Sequence, residues 1–171
     1  NHFSDQKLSF YDTTKEHIIE HATRSLKELG VDYIDTLLIH RPDPLMDPNE
    51  IAEAFVELKE SGKVRTFGLS NHTPAQQSLI QSRLPFMLVT NQLELSVSEL
   101  KHFEDGSVDL CHENEMPLMA WSPLAGGRLF NEEQFAPLRE KLEEIGRDIG
   151  AEAIDEVAYA WLLKHPARIM P

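Results

Sequence analysis

Cysteine is nearly absent from this chain: Cys111 stands alone among 171 residues. An internal disulfide is therefore excluded, and a lone thiol suits a reducing compartment, which points to the cytoplasm. Basic residues are also scarce. Sixteen Lys and Arg stand against 29 Asp and Glu, a formal net charge of −13. That balance repels nucleic acid and anionic membrane surfaces, so neither is an expected partner. No apolar run approaches the roughly 18 residues that a membrane span needs. The first residues, Asn1-His2-Phe3-Ser4, lack the basic and apolar regions of a secretion signal, and the missing initial Met points to a processed or partial chain. No Gly-x-Gly-x-x-Gly follows a strand pattern, so a Rossmann-type sheet lacks its fingerprint.

What is present is enough apolar material, 41% of residues, to fold as one domain over 1–171. Four short apolar runs each end in polar residues and each is followed by a helical pattern. They are Tyr33-Ile-Asp-Thr-Leu-Leu-Ile-His40, Val64-Arg-Thr-Phe-Gly-Leu-Ser-Asn71, Phe86-Met-Leu-Val-Thr-Asn-Gln92 and Leu118-Met-Ala-Trp-Ser122. Strands alternating with helices imply a parallel α/β sheet. In a (β/α)8 barrel the active site forms where the strands end, so His40, Ser70, Asn71, Gln92, Trp121 and Ser122 would converge on one mouth.

The helix signals fit this frame. The first dozen residues read as a loop. Thr13 and Glu16 have the spacing of a capping box, Ile18, Ala22, Leu26 and Leu29 follow at helical spacing, and Gly30 sits at a C-cap. Asp47-Pro48-Asn49-Glu50 and Thr73-Pro74-Ala75-Gln76 open two further helices, whose predicted buried residues are Ile51, Phe55 and Leu58, then Leu79, Ile80 and Leu84. A weaker helix is expected near 106–115, a flexible loop over 123–127, helices near 133–147 and 153–165, and a fifth strand starting at Ile169-Met170. The last helix carries Ile154, Val157, Ala158, Trp161 and Leu162. The Glu-rich stretch of 132–144 reads as a solvated helix face.

Leu-Gly-Val-Asp-Tyr-Ile-Asp-Thr-Leu-Leu-Ile-His-Arg-Pro-Asp (29–43), Gly-Lys-Val-Arg-Thr-Phe-Gly-Leu-Ser-Asn (62–71), Thr-Asn-Gln-Leu-Glu (90–94) and Trp-Ser-Pro-Leu-Ala-Gly-Gly (121–127) occur in one order. In this the chain resembles the aldo-keto reductases, with the flavour of their bacterial oxidoreductase branch, which also resembles potassium-channel β subunits. The resemblance implies a (β/α)8 barrel of which this chain covers roughly strands 4–7, their helices and the start of strand 8. It implies hydride transfer from NADP(H) to a small aldehyde or ketone, with NAD(H) not excluded. His40 is similar to the family's catalytic histidine. Ser70, Asn71 and Gln92 match residues that hold the nicotinamide carboxamide. Trp121 stands where an aromatic ring stacks on the nicotinamide, and Ser122, Leu124 and Gly126 fall in the loop along the cofactor pyrophosphate. Neutral hydroxyl and amide side chains suit a carboxamide, which offers one acceptor and two donors.

The family's Asp, Tyr and Lys find no matching position here, Tyr11 and Tyr33 lying outside the required motif. A second reading is therefore a non-catalytic nicotinamide-binding module, a redox sensor or auxiliary subunit. A third comes from His17-Ile-Ile-Glu-His21, which matches the H-x-x-E-H zinc-peptidase pattern. With no evident third ligand, that motif reads as an exposed surface of an outer helix. His2, His72, His102, His112 and His165 show no ligand spacing.

Overall fold

The structure is a computed structural model that describes residues 2–3 and 9–171, with side chains from Phe10 onward. The side chain of His2 and most of the first expected loop lie outside the described residues. Within that loop, β1 (His2–Phe3) pairs antiparallel with β2 (Ser9–Phe10), where no strand was expected. The rest comprises α1 (Lys15–Leu29), β3 (Ile34–Ile39), α2 (Pro48–Glu60), β4 (Val64–Ser70), α3 (Pro74–Gln81), β5 (Asn91–Glu94), α4 (Lys101–Glu104), α5 (Ser107–Glu113), β6 (Met119–Trp121), α6 (Ala136–Ile149) and α7 (Ile154–Leu163). The chain divides into two compact units, Asn1–Asn91 and Gln92–Pro171. Among the described residues no helix is long and apolar enough to cross a membrane.

In the first unit β3 and β4 run parallel, in register from Ile34 opposite Val64 to Ile39 opposite Leu69. Side chains alternate across a strand. Phe67 and Leu69 therefore share the face that α2 covers with Ile51, Phe55 and Leu58, all almost wholly buried. Phe55 stacks on Phe67 at 4.2 Å between ring centroids, and Phe67 on Phe86 at 5.6 Å. Each such aromatic pair adds about 0.5–1.5 kcal/mol to its area burial.

The helix starts fulfil their sequence signals unevenly. Asp47 caps α2 through its carboxylate, which accepts from Asn49 N at 2.8 Å, and Thr73 forms a full capping box with Gln76. Thr13 does not. The cap of α1 falls on Thr14, and Asp12 Oδ1 accepts from Thr14 N and Oγ1. Lys15 N donates to Glu50 Oε2 at 3.0 Å, so a carboxylate from α2 satisfies a free N–H in the first turn of α1. Gly30 ends α1 at φ 68°, as expected. Leu29 and Leu79 are exposed: Leu29 is the last residue of α1, and Leu79 lies away from the side of α3 that buries Gln77 and Ile80.

The segment before β5 packs tightly on β4. Val89 N donates to Phe67 O and Leu69 N to Thr90 O, so the predicted strand of 87–92 does ladder with β4, although the regular strand starts only at Asn91. A Cβ on Gly68 would lie 2.8 Å from both Thr90 Cγ2 and Thr90 O. Only glycine fits that approach.

In the second unit β5 and β6 are parallel, Gln92 opposite Met119 and Glu94 opposite Trp121. Met170 continues the pairing: Ala120 N donates to Met170 O and Met170 N to Leu118 O, as the expected fifth strand requires. Ala125, Leu129, Leu142, Val157 and Ala158 form a buried cluster. The expected flexible loop of 123–127 is instead a run of tight turns, with Ala125 N bonded to Ser122 O and Gly127 N to Leu124 O. Leu142 and Gly146 are the buried residues of α6, which leaves its glutamates in solvent. Trp161 is 42% exposed, because its ring lies edge-on to Phe103 rather than beneath α7.

Overpacking a close backbone approach costs about 1–3 kcal/mol. Gly68→Ala should lower the stability of the full-length protein by about that much, read as a drop in the urea midpoint. An unchanged midpoint contradicts the contact between Gly68 and Thr90.

Candidate active site

The parallel register that ends at Ile39 and Leu69 carries forward by one residue to His40 and Ser70. Both then stand on the face opposite Leu69, with Leu38 and Gly68. His40 is exposed and Ser70 is almost wholly buried. Asn71 joins the two strand ends: its Nδ2 donates to His40 O at 3.1 Å and to Ser70 Oγ at 2.8 Å. To do so it adopts φ 60°, the left-handed region that asparagine tolerates better than most residues.

Behind this corner lies a polar group that residue spacing had passed over. His72 Nδ1 meets Ser70 O at 2.9 Å, and a carbonyl can only accept, so the ring carries its proton on Nδ1. Asn91 Nδ2 donates to His72 O at 2.9 Å and to Gln77 Oε1 at 3.1 Å. His72, Gln77 and Asn91 are all buried. His72 Nε2 and Asn91 Oδ1 are buried with no hydrogen-bond partner. Burial holds the His72 imidazole neutral, its pKa pushed down to about 4. Two signals in the sequence point here, the adjacency of His72 to Ser70 and Asn71 and the place of Asn91 in Thr-Asn-Gln-Leu-Glu (90–94); no periodicity marks Gln77.

In the second unit, Leu93 and Ala120 are buried while Gln92, Glu94, Met119 and Trp121 are half-buried on the other face. Gln92 and Trp121 thus share a face, but two residues apart along the strands, on the order of 7 Å. Gln92 lies inside β5, not at its end, because the strand runs on to Glu94. Ser122 and Ala125 also take positive φ, 50° and 54°, followed by Gly126 at 65° and Gly127 at 87°. Left-handed non-glycine residues cluster at functional turns more than elsewhere. The Leu124 side chain packs against the core cluster, so its backbone, not its side chain, is what the loop can offer a ligand.

The motif His17…His21 is not the solvent-facing surface that was expected. The two rings lie 3.9 Å apart between centroids, tilted by 31°. They line a cleft of about 180 Å³ together with Asp12, Leu38, His40 and Arg41. Among the described residues no three His, Cys, Asp or Glu side chains are grouped to hold a metal ion.

Residues 6–171 match the sequence model of the aldo/keto reductase family. The chain belongs to that family. YcsN, an oxidoreductase of Bacillus subtilis, is 55% identical over 94% of the chain and 54% of its own length. A 6-dehydroglucose reductase of Agrobacterium fabrum is 44% identical over 98% of the chain and 56% of its own length. The likeness extends at 28% identity to a protein of Schizosaccharomyces pombe described as a voltage-gated potassium-channel β subunit. The chain thus spans about half the length of the first two relatives. Among solved aldo-keto reductases, thermostable Tm1743 with the inhibitor epalrestat superposes at TM-score 0.83 and 28% identity, over 92% of the chain and 55% of that protein. The Klebsiella pneumoniae enzyme with NADP and acetate superposes at 0.74 and 24%, over 89% and 53%. The parallel strands and intervening helices are therefore part of an aldo-keto reductase (β/α)8 barrel.

The buried imidazole makes stability depend on pH. The folded protein keeps His72 neutral down to about pH 4, whereas the unfolded chain protonates it near 6.5. Between those values the unfolded state holds the extra proton, so stability falls as pH falls. The shift corresponds to about 3 kcal/mol at most. His72→Asn, which cannot titrate, should lose less stability than the parent between pH 6.5 and 4 in urea titrations. Parallel curves for parent and variant contradict a neutral buried His72.

Proposed function

We propose that the protein carrying this chain is an NADP(H)-dependent oxidoreductase of the cytoplasm that reduces aldehydes or ketones, with residues 1–171 forming part of one barrel domain. The carrying observation is the Asn71 bridge, which ties His40 and Ser70 side by side at the ends of neighbouring strands. Two relatives support the chemistry, one named as a reductase of a dehydro-sugar and one solved with NADP.

The donor set fits a nicotinamide. Ser70, Asn71 and Gln92 are neutral and rich in paired donors and acceptors, which matches an uncharged carboxamide. In this reading they orient the cofactor amide, and Trp121 covers one face of the ring with a large apolar surface. The turns at Ser122, Leu124 and Gly126 meet the pyrophosphate through backbone N–H groups. That route needs no excess of basic side chains and so suits a chain of net charge −13. When bound, the cofactor supplies the hydride. His40 donates a hydrogen bond to the carbonyl oxygen of the substrate, where negative charge grows as the carbon is reduced.

Losing one donor to a developing oxyanion costs on the order of 100- to 1000-fold in turnover. His40→Ala in the full-length protein should lower kcat for a reactive aldehyde at least about tenfold, with NADPH affinity near that of the parent. Gln92→Ala should weaken NADPH roughly 2- to 13-fold, the worth of one or so neutral hydrogen bonds. Steady-state kinetics and fluorescence titration separate the two effects. A His40→Ala enzyme that works at the parent rate leaves a nicotinamide-binding module as the better account.

A further inference from the structure

The Ser70–Asn71–His72 corner is held on both sides by side chains that no ligand needs to touch. The carbonyl before Asn71 is held by the His72 ring, and the carbonyl of His72 by Asn91. Asn91 is itself aligned by Gln77. Between the two clamps, Asn71 keeps a left-handed backbone that a free chain seldom adopts. This arrangement leaves His72 Nε2 and Asn91 Oδ1 buried and unsatisfied. A buried polar atom without a partner is costly, and an apolar side chain of similar size would avoid that cost. Packing alone therefore gives no reason for an imidazole here. Its Nδ1–H supplies what an apolar ring cannot, a donor aimed at the Ser70 carbonyl.

We infer that His72, backed by Asn91, is a positioning residue: it fixes the left-handed turn at Asn71 and so aims Ser70 and Asn71 at the nicotinamide amide. This rests on the cofactor site proposed above. His72 touches neither cofactor nor substrate; it acts through the backbone of its two neighbours. Its removal should therefore loosen cofactor binding without abolishing chemistry.

The test uses the full-length protein and NADPH, with affinity read by fluorescence titration. His72→Phe keeps a ring and loses the donor. His72→Asn places an amide N–H close to where Nδ1–H stood. We expect His72→Phe to bind NADPH roughly 3- to 10-fold more weakly, within the range of one neutral hydrogen bond. His72→Asn should recover affinity to within about twofold of the parent, since it restores the same kind of donor. Equal affinity in parent and His72→Phe overturns the inference, as does a His72→Asn variant as weak as His72→Phe. A parent that binds no NADPH overturns the cofactor site itself, and this inference with it. Should His72→Phe fail to fold, the ¹⁵N spectrum of the parent decides. A neutral Nδ1–H ring for His72 at pH 7 is the expected result, and an Nε2–H or charged ring would remove the clamp.

Discussion

Asn71 Nδ2 reaches across the gap between two parallel strands to the carbonyl of His40, 3.1 Å away, while its second hydrogen goes to Ser70 Oγ. This contact depends on the register below it, since only the pairing of Ile39 with Leu69 brings His40 level with Ser70. A slip of one residue in either strand would turn that strand's side chain to the opposite face. The register depends in turn on the packing of Phe55 against Phe67, and on Gly68, whose missing side chain lets Thr90 close on β4. The candidate site is thus the upper end of a packed ladder, and its geometry is inherited from the buried apolar residues below it.

Much of this was legible in the residues. Alternation of short apolar runs with capped helices leads to a parallel α/β architecture, because each run is too short for a helix and each cap begins one. Pro48 and Pro74 mark helix starts correctly, since proline at the first helical position gives up a hydrogen bond that would be unmade anyway. Other features belong to tertiary contacts that local pattern does not carry. The cap of α1 falls on Thr14, so Glu16 loses the spacing of the box expected at Thr13, and a carboxylate from another helix, Glu50, reaches Lys15 N. Leu29 is the last residue of α1, beyond the turns that α1 packs, and Leu79 points away from the side that buries Gln77 and Ile80. The hydrogen bonds of His72, Gln77 and Asn91 join residues up to 19 apart, and no periodicity marks such a group.

Electrostatics shapes the account in a second way. A chain with 29 acidic and 16 basic residues is poorly suited to gathering an anionic ligand by long-range attraction. In the proposed reading, recognition falls to short-range, directional contacts with neutral groups and to backbone N–H groups in turns of unusual φ, the kinds of group that Ser70, Asn71, Gln92 and the 122–127 turns offer. The buried neutral His72 fits the same pattern: it contributes a directed N–H at physiological pH and no charge.

A crystal structure of the full-length protein with NADP⁺ tests the central claim most directly. The account predicts the nicotinamide carboxamide within hydrogen-bonding distance, about 2.7–3.2 Å, of Ser70, Asn71 and Gln92. It also predicts the Trp121 ring against one face of the nicotinamide and His40 open toward the other. A carboxamide bound away from these strand ends, with Asn71 still bridging His40 and Ser70, would contradict it.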